Sequence, residues 1–117
     1  MTRMTGNKYG AKKTEIDGIR FDSRHEAERY IVLRYMERAH LITDLELQRT
    51  FTLIGPQKDK AGKVIEHPVK YVADFVYKDQ DGNTVVEDTK SPATRTPAYV
   101  IKRKLMLSIY GLRIKEV

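Results

Sequence analysis

The feature that most limits how this chain can fold is a pair of short alternating segments with acids in their middles. Lys70-Tyr71-Val72-Ala73-Asp74-Phe75-Val76-Tyr77 is followed, across an Asp81-Gly82 turn, by Thr84-Val85-Val86-Glu87-Asp88-Thr89-Lys90. Successive side chains of a strand point to opposite faces, so Val72, Asp74 and Val76 are expected on one face, as are Val86, Asp88 and Lys90. A hairpin then places Asp74, Asp88 and Lys90 beside one another among valines. A carboxylate buried among branched apolar side chains is costly unless something neutralises it. A divalent cation with a phosphate behind it would do so.

The rest of the composition narrows the chemistry. The chain has 117 residues and a formal charge of +6, which suits one domain. It has no cysteine and three scattered histidines, His25, His40 and His67. Disulfides and thiolate sites are excluded, and any metal must be held by oxygen, which favours magnesium or manganese. No long apolar run predicts a membrane span and no apolar leader predicts secretion, so the expected location is the cytoplasm of a bacterial host. Residues 1–14 carry Arg3, Lys8, Lys12 and Lys13 with no acid, and residues 91–115 carry Arg95, Lys102, Arg103, Lys104, Arg113 and Lys115 with no acid. A basic rim around an acidic centre suits a polyanion gripped by its backbone, with DNA as the expected partner. A solvated lysine-rich surface is the plainer explanation of the same charges.

Residues 1–13 read as a basic flexible arm and 14–117 as a single domain. Glu15 to Phe21 alternates around Asp17-Gly18 and predicts a small hairpin. Ser23 with Glu26 three residues on is a capping box, which starts a helix expected to run to about Ala39. Asp44 to Ile54 predicts a strand, Gly55 to Gly62 a polar loop, and Val64-Ile65-Glu66 the start of the next strand, with Pro68 as an edge or break. After the two acidic strands, Ser91 to Thr96 reads as a loop. Thr96 caps and Pro97 opens a second helix that ends at Gly111, with Ala98, Ile101, Leu105, Ser108 and Ile109 as its apolar stripe. Leu112 to Val117 closes the chain as a strand. The expected architecture is α/β: a central mixed sheet of about four strands flanked by two helices, after a leading hairpin.

Phosphodiester hydrolysis needs a nucleophilic water, neutralisation of charge on phosphorus and stabilisation of the leaving oxygen. Carboxylate-bound Mg²⁺ can supply all three. Two carboxylates about 4 Å apart repel by about 4 kcal/mol at an effective dielectric near 20, which a lysine offsets in part and a metal more fully. An acid and a lysine at i and i+2 on a strand aim at one point, which is the physical content of Asp88-Thr89-Lys90.

These residues resemble the PD-(D/E)XK nuclease superfamily, and in particular a group of small phage proteins known only as a domain of unknown function. The resemblance lies in Ser23-Arg24-His25-Glu26-Ala27-Glu28-Arg29-Tyr30, Tyr71-Val72-Ala73-Asp74-Phe75 and Val86-Glu87-Asp88-Thr89-Lys90. It extends to Asn7-Lys8-Tyr9-Gly10, to Gln48, and to Tyr99 with Lys102-Arg103-Lys104-Leu105. It departs from the superfamily's name in having Ala73, not proline, before Asp74. The resemblance implies a restriction-endonuclease-like core. It makes Asp74 and Asp88 metal ligands with the Thr89 carbonyl, Lys90 the catalytic lysine, and Glu26 the acid that completes the cluster, with Gln48 near the site. The implied activity is Mg²⁺- or Mn²⁺-dependent DNA endonuclease action in phage or prophage recombination or DNA processing, on junction or branched DNA. A chain this small has little surface for duplex recognition, so a homodimer is the expected way to cut two strands.

Plainer roles stand beside these. Asp88 and Lys90 fit an ion pair on an exposed strand, and Asp74 an edge charge that blocks aggregation. Glu26 already has a capping role at a helix start that favours carboxylates. Glu28 is a backup ligand on another face, His25 a surface residue, and Glu87 points away from Asp88. Lys8, Lys12, Lys13, Arg95, Lys102 and Arg103 are the candidate DNA contacts, Lys102 foremost on its helix. The tyrosines carry no assigned role. The alternatives to a nuclease are a module that keeps the fold and binds DNA without cutting, and a small basic protein whose target is another protein of a phage assembly.

Overall fold

The structure, a computed structural model, describes residues 13–117. The described residues fall into two compact units, one ending at Ile42 and the other running from Thr43 to Val117.

In the first unit, β1 (Thr14–Ile16) and β2 (Ile19–Phe21) form an antiparallel hairpin with Ile16 opposite Ile19. Asp17 (φ 55°) and Gly18 (φ 77°) are both left-handed, the geometry a two-residue turn needs to match strand twist. Helix α1 (Arg24–Arg38) follows, and the Ser23 side chain accepts the Glu26 N–H at 3.1 Å. Its buried positions, Glu26, Ala27, Tyr30 and Leu33, follow helical spacing. The Phe21 and Tyr30 rings lie 5.0 Å apart, and the Tyr30 hydroxyl donates to Asp17 Oδ2 at 3.0 Å.

The second unit holds a four-stranded mixed sheet. Its strands are β3 (Thr43–Ile54), β6 (Val69–Lys78), β7 (Thr84–Asp88) and β8 (Ile114–Glu116), in that spatial order. The β3–β6 and β6–β7 pairs are antiparallel, and β7–β8 is parallel. Parallel neighbours require a crossover, supplied here by a short 3₁₀ turn (Pro92–Thr94) and helix α2 (Pro97–Tyr110). Thr96 caps α2 by accepting the Tyr99 N–H at 3.1 Å, and Gly111, at φ 67°, ends it as glycine without a Cβ penalty.

Three expectations need correction here. First, the segment read as a loop from Gly55 contains β4 (Gln57–Lys58), which pairs with β5 (Val64–Glu66) in a separate two-stranded ribbon. Val64–Glu66 is the strand expected there, and it stops before Pro68, after which β6 begins at Val69. Second, the stripe Ala98, Ile101, Leu105, Ser108 and Ile109 is not the core face of α2. Tyr99 and Met106 are its buried residues, while Ile101 and Ile109 are exposed. Of that stripe Leu105 does pack against the core, beside Val100, so the buried face is turned from the expected one toward Tyr99 and Met106. Third, Val72 is exposed, whereas Tyr71, Ala73 and Val76 join one core cluster with Val86, Ile114, Tyr99 and Met106. Strict alternation thus breaks between Ala73 and Val76. Beside that break, Gln48 of β3 adopts φ 53°, between the Leu47–Phe75 and Arg49–Ala73 pairs. Irregularities of this kind re-aim side chains along a strand.

Candidate functional site

The β6–β7 register, Phe75 opposite Glu87 and Val76 opposite Val86, brings Asp74 level with Asp88. Both strands are inner strands of the sheet, so Asp74 is no edge charge. Asp74 is tightly held. The Thr89 N–H and hydroxyl donate to its Oδ2 at 2.9 and 2.8 Å, and Gln48 Nε2 donates to its Oδ1 at 3.3 Å. Asp88 is buried; the Tyr71 hydroxyl donates to its Oδ2 at 2.7 Å, and Lys90 Nζ lies 3.4 Å from the same oxygen. With side-chain exposures of 15% and 5%, Lys90 and Asp88 are not the solvent-exposed ion pair of the plainer account.

Burial, then the hydrogen bond and charge of Asp74, push the Asp88 carboxyl up to about 7 against the pull of Tyr71 and Lys90. Two acids are thus crowded where burial already penalises charge. Burial and the facing Asp88 likewise raise the Tyr71 hydroxyl well above its usual range.

Lys90 has a second support. Its Nζ sits 4.2 Å from the centroid of the Tyr99 ring, a cation–π distance. Tyr99 is fixed in turn, because its hydroxyl donates to Glu116 Oε2 at 2.7 Å. Glu116 also accepts from Arg103 Nη1 at 3.1 Å and from Arg95 Nε and Nη2 at 3.1 and 2.8 Å. The Tyr99 hydrogen bond first, then the two guanidinium groups, hold the Glu116 carboxyl at about 2.

These side chains border an open cleft of about 360 Å³, whose walls include Lys70, Tyr71, Asp74, Asp88, Lys90, Tyr99 and Lys102. Of the candidate DNA contacts, Lys102 lines the cleft, whereas Arg95 and Arg103 are tied to Glu116. Lys13 is exposed, and Lys8 and Lys12 lie outside the described residues. Glu26 belongs to the first unit and is buried at the start of α1; Glu28 and His25 are exposed there. Sequence reasoning did not find the roles of Tyr71, Tyr99, the Thr89 side chain or Glu116. The i+2 rule pairs residues within a strand and says nothing about which tyrosines reach them.

The donor set suits a hard divalent cation. It is all oxygen, with two carboxylates side by side and an excess of negative charge that one lysine offsets in part. Among the described residues, no group of three or more His, Asp or Glu side chains is placed to hold a metal ion. No helix among them is long and apolar enough to cross a membrane.

No curated protein and no solved structure matches this chain. The model of one family does, over residues 6–115, and its description is "protein of unknown function (DUF1064)". That match spans nearly the whole sequence, and the chain belongs to this family.

Proposed function

We propose that this protein is a Mg²⁺- or Mn²⁺-dependent DNA endonuclease of the PD-(D/E)XK type, acting in phage or prophage DNA processing. The observation that carries the reading is the meeting of Asp74, Asp88 and a half-buried Lys90 in one open cleft that also holds Lys102. Asp74, Asp88 and the Thr89 carbonyl would hold the cation, which when bound neutralises charge on the scissile phosphate and lowers the pKa of water. Thr89 and Gln48 fix the orientation of Asp74, and Tyr71 fixes that of Asp88. Lys90, perched on Tyr99, presents positive charge to the phosphate oxygens as negative charge grows there. Lys102 grips a neighbouring phosphate. Glu26 is assigned to the same chemistry on the resemblance alone. A branched or junction substrate, and a second copy of the chain to cut the second strand, belong to the same reading.

The test is cleavage of supercoiled and branched DNA with Mg²⁺ or Mn²⁺ by the wild type, Asp88→Ala and Lys90→Ala. Cleavage by the wild type that is lost in both variants is expected. Variants that cut as fast as the wild type would sink the site. One observation favours a second reading, a fold that binds DNA without cutting: hydrogen bonds from Thr89, Gln48 and Tyr71 already occupy oxygens of both carboxylates. Salt-sensitive binding with no cleavage of any DNA or RNA would select it.

A further inference from the structure

A second groove lies on the other flank of α2. It has a volume of about 440 Å³ and is lined by Arg103, Lys104 and Leu107 of α2 and by Arg113, Ile114 and Glu116 around β8. Its one carboxylate, Glu116, is already engaged by Arg95, Arg103 and Tyr99. Among the described residues, Lys104 and Arg113 form no ion pair and no side-chain hydrogen bond, and both are exposed. The groove therefore offers two uncompensated cations above an apolar floor that includes the buried Ile114.

At about 100° per residue, Lys102 and Lys104 point about 200° apart around the helix. Tyr99 and Met106, which seat α2 on the sheet, lie between the cleft side and the Arg103 side. One basic tripeptide thus serves two grooves: Lys102 in the acidic cleft and Arg103-Lys104 in the other. A helix with its side chains is about 10–12 Å wide. Phosphates of one DNA strand advance about 3.4 Å each along the duplex axis, so about three nucleotides span that width.

We propose that the groove between α2 and β8 is a second phosphodiester-binding site, in which Lys104 and Arg113 hold backbone phosphates of DNA a few nucleotides from those in the cleft. The proposal rests on the nuclease reading for the identity of the polyanion. Exposed guanidinium and ammonium groups at the mouth of this groove give charge without base contacts, so the site adds affinity and register and not sequence preference.

The test is fluorescence anisotropy of a labelled 20-base-pair duplex with the full chain in EDTA, across a series of KCl concentrations. Wild type is compared with Lys104→Ala/Arg113→Ala and with Lys60→Ala/Lys63→Ala, which removes the same charge from the exposed loop between β4 and β5. Each phosphate contact contributes about 0.9 to the slope of log K against log salt. The groove variant is expected to lose about 1.8 from that slope, with binding at least about tenfold weaker at low salt, and the loop variant to keep the wild-type slope. An unchanged slope in the groove variant, an equal fall in the loop variant, or no binding by the wild type overturns the proposal. Cleavage by wild type and Asp88→Ala with Mn²⁺ is measured alongside. A lost slope without any cleavage removes the nuclease and keeps the groove, whereas Asp88-dependent cleavage with an unchanged slope does the reverse.

Discussion

Glu87 and Asp88 are neighbours on β7, both are buried, and each has a tyrosine hydroxyl and a lysine ammonium beside it. Glu87 receives the Tyr77 hydroxyl in a short hydrogen bond and lies 3.9 Å from Lys115 Nζ. Asp88 receives Tyr71 at 2.7 Å and Lys90 at 3.4 Å. The two environments differ in what else is present. Asp88 faces a second carboxylate and opens on a cleft, while Glu87 has no exposed surface at all. Burial alone therefore does not mark a functional acid. A buried acid with its charge balanced is part of the scaffold; one held against another acid at the edge of a cavity is a place where a cation lowers the energy.

The sharpest way to break this contrast is to delete each acid in turn. Glu87→Ala should cost about 3–5 kcal/mol of stability by stranding its partners, read as a lowered midpoint in urea, while its folded fraction should keep the wild-type rate in the proposed cleavage assay. Asp88→Ala should do the opposite, lowering Mg²⁺-dependent cleavage by at least about 100-fold with an unchanged or raised melting temperature. Equal losses of stability in the two variants would erase the distinction. A smaller effect is expected from the tyrosines. Tyr77→Phe, which leaves a fully buried carboxylate without its hydroxyl, should cost about 1–3 kcal/mol. Tyr71→Phe should cost less, because Lys90 still faces Asp88 and the cleft admits water. The reverse order in thermal unfolding would mean that Asp88 is the more structural of the two.

The smallest effect expected is a pH dependence from Glu116, the remaining acid of this region. The Glu116 carboxyl is held at about 2 against an ordinary 4.5. Its contribution to stability is complete above the unfolded value and is lost as pH falls through the folded one. Stability should therefore decline between about pH 4.5 and pH 2, and Glu116→Gln should flatten that part of the curve. A curve of the same shape in the variant would remove Glu116 as a structural anchor.

Much of the frame was legible because local chemistry decides it. Asp17-Gly18 takes left-handed angles that few other pairs adopt cheaply, Ser23 and Thr96 cap the two helices, and Gly111 ends the second. The Asp74–Asp88 alignment followed from alternation near the turn. Alternation failed within β6 between Ala73 and Val76, because the break beside Gln48 depends on a neighbouring strand. The face of α2 was misread because Ile101 and Ile109 have the better spacing, yet Tyr99 and Met106 fill the sheet. Of the candidate site, Asp74, Asp88 and Lys90 were visible as a spacing. Their supports were not, since Tyr71 and Tyr99 reach them only through tertiary packing. The basic segment 91–115 looked uniformly available, but Arg95 and Arg103 are held by Glu116, which lies just past its end.

The parallel strand β8 divides what the two halves of the pocket depend on. The aspartates need only the β6–β7 pairing to stand level. The ring beside Lys90 needs more, because Tyr99 belongs to the crossover helix and Glu116, which steadies it, to β8. A substitution that loosens β8 would thus unseat the amine while leaving the acids aligned.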